Sequence, residues 1–533
     1  MADTSTLELI VRDLPGSPLV RDYLAGLDKA TAFYGRHFRN ADAYRRKAEE
    51  VDRRFDAEAR VQVAEAMQVP PGGDPARLER WVEQGGFLVT TGQQPGLFSG
   101  PLYNVYKALS AVRLAEELEA LLERPVLPLF WIGSEDHDWA EVNHTCVLDV
   151  ENELHCAEVT RGADANPALH RIALPESVGE VVSSFIGALP ATDFSEPYLE
   201  LLRRSTKAGM TLPDSYREIL GSLLGPFGVL ITHAADPIVK RRSSTVLFHE
   251  LDHGEETEEI LRSTSSELER AGYELQASLL EGGLNLFFEG PAGRERLYRD
   301  GDGLRLHTSG EGLTKTELRR RVQEDPTLLS PNVFLRPVVE SAVFPTLAYV
   351  GGPGEIAYFA QLKGFFAAFG IEMPVVRPRL SAIVVESKIR KVLDKFDLDP
   401  ESLDRPFHEL AGDLAREGMP DGVRRAVGSL RGAIAKGVSA LQDEAKQVDP
   451  TLRGPVEHAR NQAFAALDHL EKKILHALKR ENEIALSQLE KAQRHLYPGG
   501  QPQERVMNTF YYLARYGGTF LEEIFERSPR SLS

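Results

Sequence analysis

Three short stretches of this sequence bring together residues able to bind or transfer charged groups. The first is Thr91-Gly92-Gln93-Gln94-Pro95-Gly96-Leu97-Phe98-Ser99-Gly100-Pro101, set between a short apolar, partly β-branched run and a long helical pattern. Glycines let a backbone come close to a phosphate or a carboxylate, and a helix N-terminus behind such a turn attracts anions. Thr91, Gly92, Gln93, Gln94, Gly96, Gly100 and Lys107, about two turns along the helix, are therefore the candidate nucleotide- or anion-binding residues, with Asn104 beside them as a candidate for substrate. The loop lacks the Gly-Lys-Ser/Thr ending of a P-loop and the G-x-G-x-x-G spacing of a dinucleotide site. The second stretch is Gly133-Ser134-Glu135-Asp136-His137-Asp138, four ionisable side chains in a row after an apolar run. A carboxylate beside an imidazole can hold its tautomer and work as an acid/base pair, so Asp136, His137 and Asp138 are the candidate catalytic residues. Capping of a helix by Asp or Ser is the structural alternative there.

The third stretch, Tyr349 to Gln361, again reads as strand, glycine turn and helix start. Glu355 and Tyr358 share a helix face at i, i+3, and Gln361 follows one turn on. Arg336, biased to an extended conformation by Pro337, joins Gly351, Glu355, Tyr358, Gln361 and Arg379 as a candidate substrate-binding residue. Arg377 and Arg379 form a compact pair suited to a carboxylate or phosphate.

The elements that must position these residues can be read from the pattern. The runs 86–91 and 125–132, joined by a helix from Pro101 to about Leu122 with Leu102, Val105, Leu109 and Val112 on one face, make a βαβ unit and so a parallel sheet. The runs 228–232, 346–350 and 373–378 can join that sheet, the last as an edge or a strand end because of its prolines. The expected divisions are a helical part packed on the core (1–85), first core part (86–150), first insert (151–215), core strand region (216–240), second insert (241–329), last core part (330–381), coiled-coil domain (382–500) and C-terminal helical segment (501–533). Apolar residues spaced by threes and fours from Val423 to Val448 and again from Leu467 to Leu496, broken at 449–455, predict an antiparallel coiled-coil hairpin. Arms of some 40 residues would reach about 60 Å, long enough to protrude and meet another subunit.

Composition narrows the function. The 533 residues carry 62 basic and 80 acidic side chains, a net charge of −18. That balance argues against a general nucleic-acid binder, while leaving room for a local basic pocket. No run is apolar enough to span a membrane, the N-terminus has no signal-peptide pattern, and a cytoplasmic protein is expected. Cys146 and Cys156 are too few for a disulfide framework and fit a reducing compartment. A hairpin turning at Glu151-Asn152 puts them on opposite sheet faces, which argues against a zinc site with His144 and His155 and leaves buried thiols. No metal is expected.

The segment Thr91 to Tyr103, the run Phe130 to Asp138, the stretch Ser330-Pro331-Asn332-Val333-Phe334-Leu335-Arg336-Pro337 and Tyr349 to Gln361 resemble the bacillithiol-biosynthesis cysteine-adding enzymes. Pro378-Arg379-Leu380-Ser381, Gln503-Glu504-Arg505-Val506 and Ala32-Phe33-Tyr34 fit the same family. The resemblance implies an α/β fold: a Rossmann-like, nucleotidylyltransferase-type parallel sheet core with inserted connecting segments and a C-terminal antiparallel coiled coil that pairs two subunits. It implies a ligase that adds L-cysteine to the amine of glucosaminyl malate, most simply through an acyl-adenylate, with ATP as cosubstrate. The signature motifs of class I ligases, His-x-Gly-His and Lys-Met-Ser-Lys-Ser, are absent, and Ser387-Lys388 is a faint echo of the second. ATP use is thus an expectation from fold alone. A nucleotide- or metabolite-binding scaffold whose coiled coil recruits partners is the alternative. A transfer-RNA-acting synthetase relative fits poorly with the acidic balance.

Overall fold

Five runs of buried residues form the central sheet: β1 (Phe87–Gln93), β2 (Val126–Ile132), β3 (Leu230–His233), β4 (Thr346–Gly351) and β5 (Val375–Pro378). In the computed structural model, which describes residues 7–162, 165–481, 483–530 and 532, all four pairings are parallel and the order is β5-β4-β1-β2-β3. Strands buried on both faces read as continuous apolar runs rather than alternating ones, and every residue of β2 is buried. Pro128 is tolerated there because the ladder to β3 begins only at Leu129, so its missing N–H loses no bond on that side. The chain starts in the middle with β1, adds β2 and β3 on one side, then crosses to β4 and β5 on the other. The order reverses between β1 and β4, which is where open α/β sheets bind ligands, at the carboxyl ends of the strands.

The loop after β1 departs from expectation. Strand β1 runs on through Gly92 to Gln93, and helix α1 begins at Tyr103 (Tyr103–Leu122) rather than at Pro101. Pro101 instead bridges Asn508, and the Leu102 N–H bonds the Met507 carbonyl, so these two residues are tied to the C-terminal segment before the helix begins. Helix α1 is buried nearly all round between Asn104 and Ala115, not along one face, because it is enclosed by protein on every side. Arg336 is also not extended. It opens helix α2 (Arg336–Val343), since proline in a first turn lacks only an N–H that would have no intrahelical partner.

Within the inserted segments lies a second sheet, antiparallel throughout, built from Gly283–Gly290, Gly293–Asp300, Gly303–Leu306, Gly312–Leu313 and Leu329–Pro331. The hairpin His144–Leu148 with Leu154–Glu158 corrects the reading of the cysteines. Cys146 pairs directly with Cys156, and the two form a disulfide. The register is one residue off the expected one because the turn has three residues, not two. Asp149 accepts the N–H groups of Glu151 and Glu153, and Asn152 takes a left-handed conformation with φ of 66°. A shift of one residue moves a side chain to the other face, so partners expected apart meet.

Two compact units divide the chain: Met1–Val384 with Gln503–Ser533, and Val385–Pro502. In the second, helices α3 (Asp421–Val448) and α4 (Arg453–Glu481) run as a hairpin, with Arg431 bonding Asp468 at 2.8 Å and Glu471 at 3.0 Å across it. The first arm has 28 residues, about 42 Å at ~1.5 Å per residue and shorter than expected. Its apolar stripe is poorly covered: Leu441 is 56% exposed and Val448 81%. Among the described residues no helix is long and apolar enough to cross a membrane.

Candidate active site

At the carboxyl ends of β1, β2 and β4 lies a cavity of about 540 Å³. Of the residues singled out by sequence, Gly92, Gln93, Gln94, Lys107, Asp136, His137, Arg336, Glu355, Tyr358 and Arg379 line it. All lie at strand ends, in the connections that follow strands or on the helices those connections open, as the switch-point geometry requires. Six cationic side chains (Lys107, Arg294, Arg296, Arg336, Arg379 and Arg505) face three carboxylates (Glu135, Asp136 and Glu355). A chain of net charge −18 thus keeps a locally basic pocket.

The floor is a buried polar network. Lys107 Nζ lies 2.7 Å from Glu355 Oε2, donates to Gln93 Oε1 at 3.1 Å and also bonds the Gly92 carbonyl. Burial draws the Lys107 ammonium down from its ordinary value. Burial also opposes a charged Glu355, yet Lys107, the Gly352 N–H and the Tyr349 hydroxyl hold its carboxyl below the usual range. Arg336 donates to Glu340 at 2.9 Å and to the hydroxyls of Tyr349 and Tyr358 at 3.2 and 3.1 Å. Burial raises the Tyr358 hydroxyl to a pKa of about 12, so it stays a donor at neutral pH. Arg379 bonds Glu504 at 3.0 Å, and Glu504 also accepts from Ser381 and the Ala382 N–H.

Asp136 and His137, expected from sequence as an acid/base pair, sit on the opposite wall. Asp136 accepts Gln94 Nε2 at 2.6 Å and the N–H groups of His137 and Asp138 at 2.7 and 3.3 Å. Burial would raise its pKa, but nearby Arg294, Gln94 and those two N–H groups keep it below the usual carboxylate range. Arg294 Nη1 lies 3.0 Å from His137 Nδ1. A guanidinium has donors only, so Nδ1 is the acceptor and the neutral ring carries its proton on Nε2. Burial, then Arg294, hold the His137 pKa below 6.5. In this arrangement His137 offers an N–H to a ligand, and Asp136 offers a fixed negative charge.

Several expected residues serve the scaffold instead. Thr91 bonds the Val350 carbonyl, stapling β1 to β4. Asp138 caps the short helix Trp139–Val142 through the Glu141 N–H, the structural alternative read from the sequence. Gln361 lies past the helix Pro353–Phe359 and turns to Ser265 and Ala277. Gly351 accepts the Arg379 N–H through its carbonyl. A Cβ on Gly96 would lie 2.8 Å from Gly100 Cα, and one on Gly100, whose φ is +64°, would lie 2.5 Å from Asn104 Nδ2. These two glycines therefore let the loop close on itself and on Asn104, which bonds the Ser99 carbonyl. Asn104 and Gly96 line a smaller neighbouring cavity of about 220 Å³. Arg377 turns to the Pro529 carbonyl, so it does not pair with Arg379. Among the described residues no group of three or more metal-ligating side chains is assembled.

Three cations escaped the sequence reading. Arg294 and Arg296 project from the strand Gly293–Asp300, Arg294 bonding Ser330, the Pro331 carbonyl and His137. Their i, i+2 spacing just after the turn at 291–292 was the available signal, because alternate strand residues share a face. Arg505 comes from the C-terminal segment, lines both cavities and makes no hydrogen bond or ion pair among the described residues.

Comparison with known proteins agrees with this architecture. Residues 5–380 match the family model described as bacillithiol biosynthesis BshC, N-terminal Rossmann-like domain, and residues 382–530 match its C-terminal coiled-coil domain. Relatives named "Putative cysteine ligase BshC" include one from Salinibacter ruber, 32% identical over 84% of this chain and 82% of its own. One from Solibacter usitatus is 32% identical over 95% and 94%, and one from Symbiobacterium thermophilum 30% identical over 97% and 96%. With both domains matched and a Rossmann-like sheet holding a basic pocket at its switch point, the chain belongs to the BshC family of bacillithiol biosynthesis, the cysteine ligases.

Proposed function

We propose that the cavity joins the carboxylate of L-cysteine to the amine of glucosaminyl malate, the last step of bacillithiol synthesis. The observation that carries this reading is the cavity's charge pattern. Arg505, unpaired among the described residues, and the half-buried Arg294 and Arg296 suit carboxylates of the malyl group, and Asp136 suits an ammonium. The Arg336–Tyr358 pair and His137 Nε2–H are donors suited to sugar hydroxyls or a developing oxyanion. Activation of the cysteine carboxylate with ATP as cosubstrate is proposed from the fold. The basic pocket and the buried Trp131 Nε1 on its wall, which has no hydrogen-bond partner among the described residues, fit a polyanionic ligand. The glycine loop, closed on itself, gives it less support than expected. The family's place in a cytoplasmic thiol pathway is carried over with it, and the half-covered hairpin stripe supports a homodimer through the coiled coil. The test is to incubate the purified chain with L-cysteine, glucosaminyl malate and ATP and look for the amide by mass spectrometry. Absence of product refutes the assignment, and full turnover by Asp136→Ala refutes the role given to that residue.

A further inference from the structure

We infer that Cys156 is a thiol–disulfide exchange site for low-molecular-weight thiols, with Cys146 as the leaving sulfur. The two cysteines are cross-strand partners in one disulfide, and their surroundings differ sharply. Cys156 is exposed, whereas Cys146 is 8% exposed. Cys156 is therefore the residue a small thiolate meets first from solvent. Attack there forms a bond between the small thiol and Cys156 and breaks the Cys146–Cys156 bond, and the electron pair leaves on Cys146 as a thiolate. A second small thiol then attacks the mixed disulfide, releasing a small disulfide and the Cys156 thiolate, so two electrons pass from two thiols to the bridge. Departure is favoured by whatever stabilises the leaving thiolate. Cys146 lines the smaller cavity together with Arg505, a cation without an ion-pair partner among the described residues, which supplies that stabilisation.

The site is also wired to the glycine loop. The Cys146 carbonyl accepts the Asn508 N–H at 2.8 Å, and Asn508 Nδ2 bonds Thr145 on the same strand and the carbonyls of Phe98 and Gly100. Opening the bridge therefore loosens the hairpin that holds this clamp. The chemistry stands apart from the ligase reading, since any small thiolate would react. The test uses the full chain purified without reductant. Alkylation under denaturing conditions is expected to find no free thiol. After incubation with L-cysteine and an acid quench, peptide mapping is expected to find one cysteinyl adduct on Cys156 and a free, alkylatable Cys146. A second variant, Cys146→Ser, exposed to cystine, is expected to take one adduct per chain at Cys156, and Cys156→Ser to leave Cys146 largely unmodified. Free thiols in the untreated protein, an adduct on Cys146 with Cys156 free, or a bridge that stays closed in excess L-cysteine would each overturn the inference.

Discussion

Replacing Glu355 by Gln strips the counter-charge from a buried ammonium. The Lys107 side chain is 1% exposed and Glu355 22%, with the charged atoms 2.7 Å apart. Removing one member of a buried ion pair costs about 3–5 kcal/mol, because the survivor is left desolvated and unpaired. Lys107→Met costs less, roughly 2 kcal/mol, since Glu355 keeps the Gly352 N–H and the Tyr349 hydroxyl and remains partly solvated. With both charges gone the penalty for a lone charge disappears. The double variant should lose only about 3 kcal/mol, against roughly 6 for the sum, a coupling of about 3 kcal/mol. The assay is urea unfolding followed by tryptophan fluorescence. The chain has three tryptophans, and Trp81, Trp131 and Trp139 are all buried in the first unit, so the signal reports that unit without the coiled coil. Additive losses in the double variant would show that Lys107 and Glu355 act independently and would refute the reasoning.

Arg294→Met removes a cation 3.0 Å from His137 Nδ1. The His137 pKa, held below 6.5 by burial and Arg294, should rise, and the acid limb of kcat/KM should move to higher pH; an unmoved limb contradicts the assignment. The sign for stability follows. The unfolded ring binds its proton first as pH falls from 6.5, so His137 withdraws stability between 6.5 and its lower folded value, and less so in the variant. Arg505→Ala should raise KM for the proposed malyl substrate about tenfold or more, the worth of a charged hydrogen bond, with the melting temperature unchanged because Arg505 holds no partner among the described residues. A lowered melting temperature would mark it as structural. Asn508→Ala leaves the Phe98 and Gly100 carbonyls without their donor and should cost about 2–4 kcal/mol by the same urea assay. A loss under 1 kcal/mol would remove Asn508 from the loop's support.

How far the sequence carries depends on which forces leave a local trace. Burial on both faces writes itself as unbroken apolar runs, so all five central strands were legible, and the glycine turns behind β1 and β4 pointed to residues that meet in the cavity. Lys107 and Glu355 were visible as types at strand-end helices, but not as partners, because 248 residues separate them. Arg294 reaches the site on an antiparallel sheet within an insert, and no local periodicity announces which way such a sheet faces. The cysteine register turned on a single residue: Asn152 in a left-handed conformation makes a three-residue turn, and period-two geometry converts that small difference into opposite faces. Asp138 and Gln361 share composition with their cavity-lining neighbours and differ only in what lies opposite them.

The polypeptide leaves the first unit at Val384 and returns at Gln503, whose side chain bonds both the N–H and the carbonyl of Val384. Residues made last thus complete what was made first: Glu504 balances Arg379, and Arg505 closes the pocket. On a ribosome adding about 5–20 residues per second, the roughly 120 intervening residues impose a delay of about 6–24 s. During that interval the sheet can form while its binding site still lacks a wall. A chain cut short anywhere in the hairpin would leave Arg379 without its carboxylate. Possession of a finished cavity is therefore a mark of a chain synthesised past Arg505.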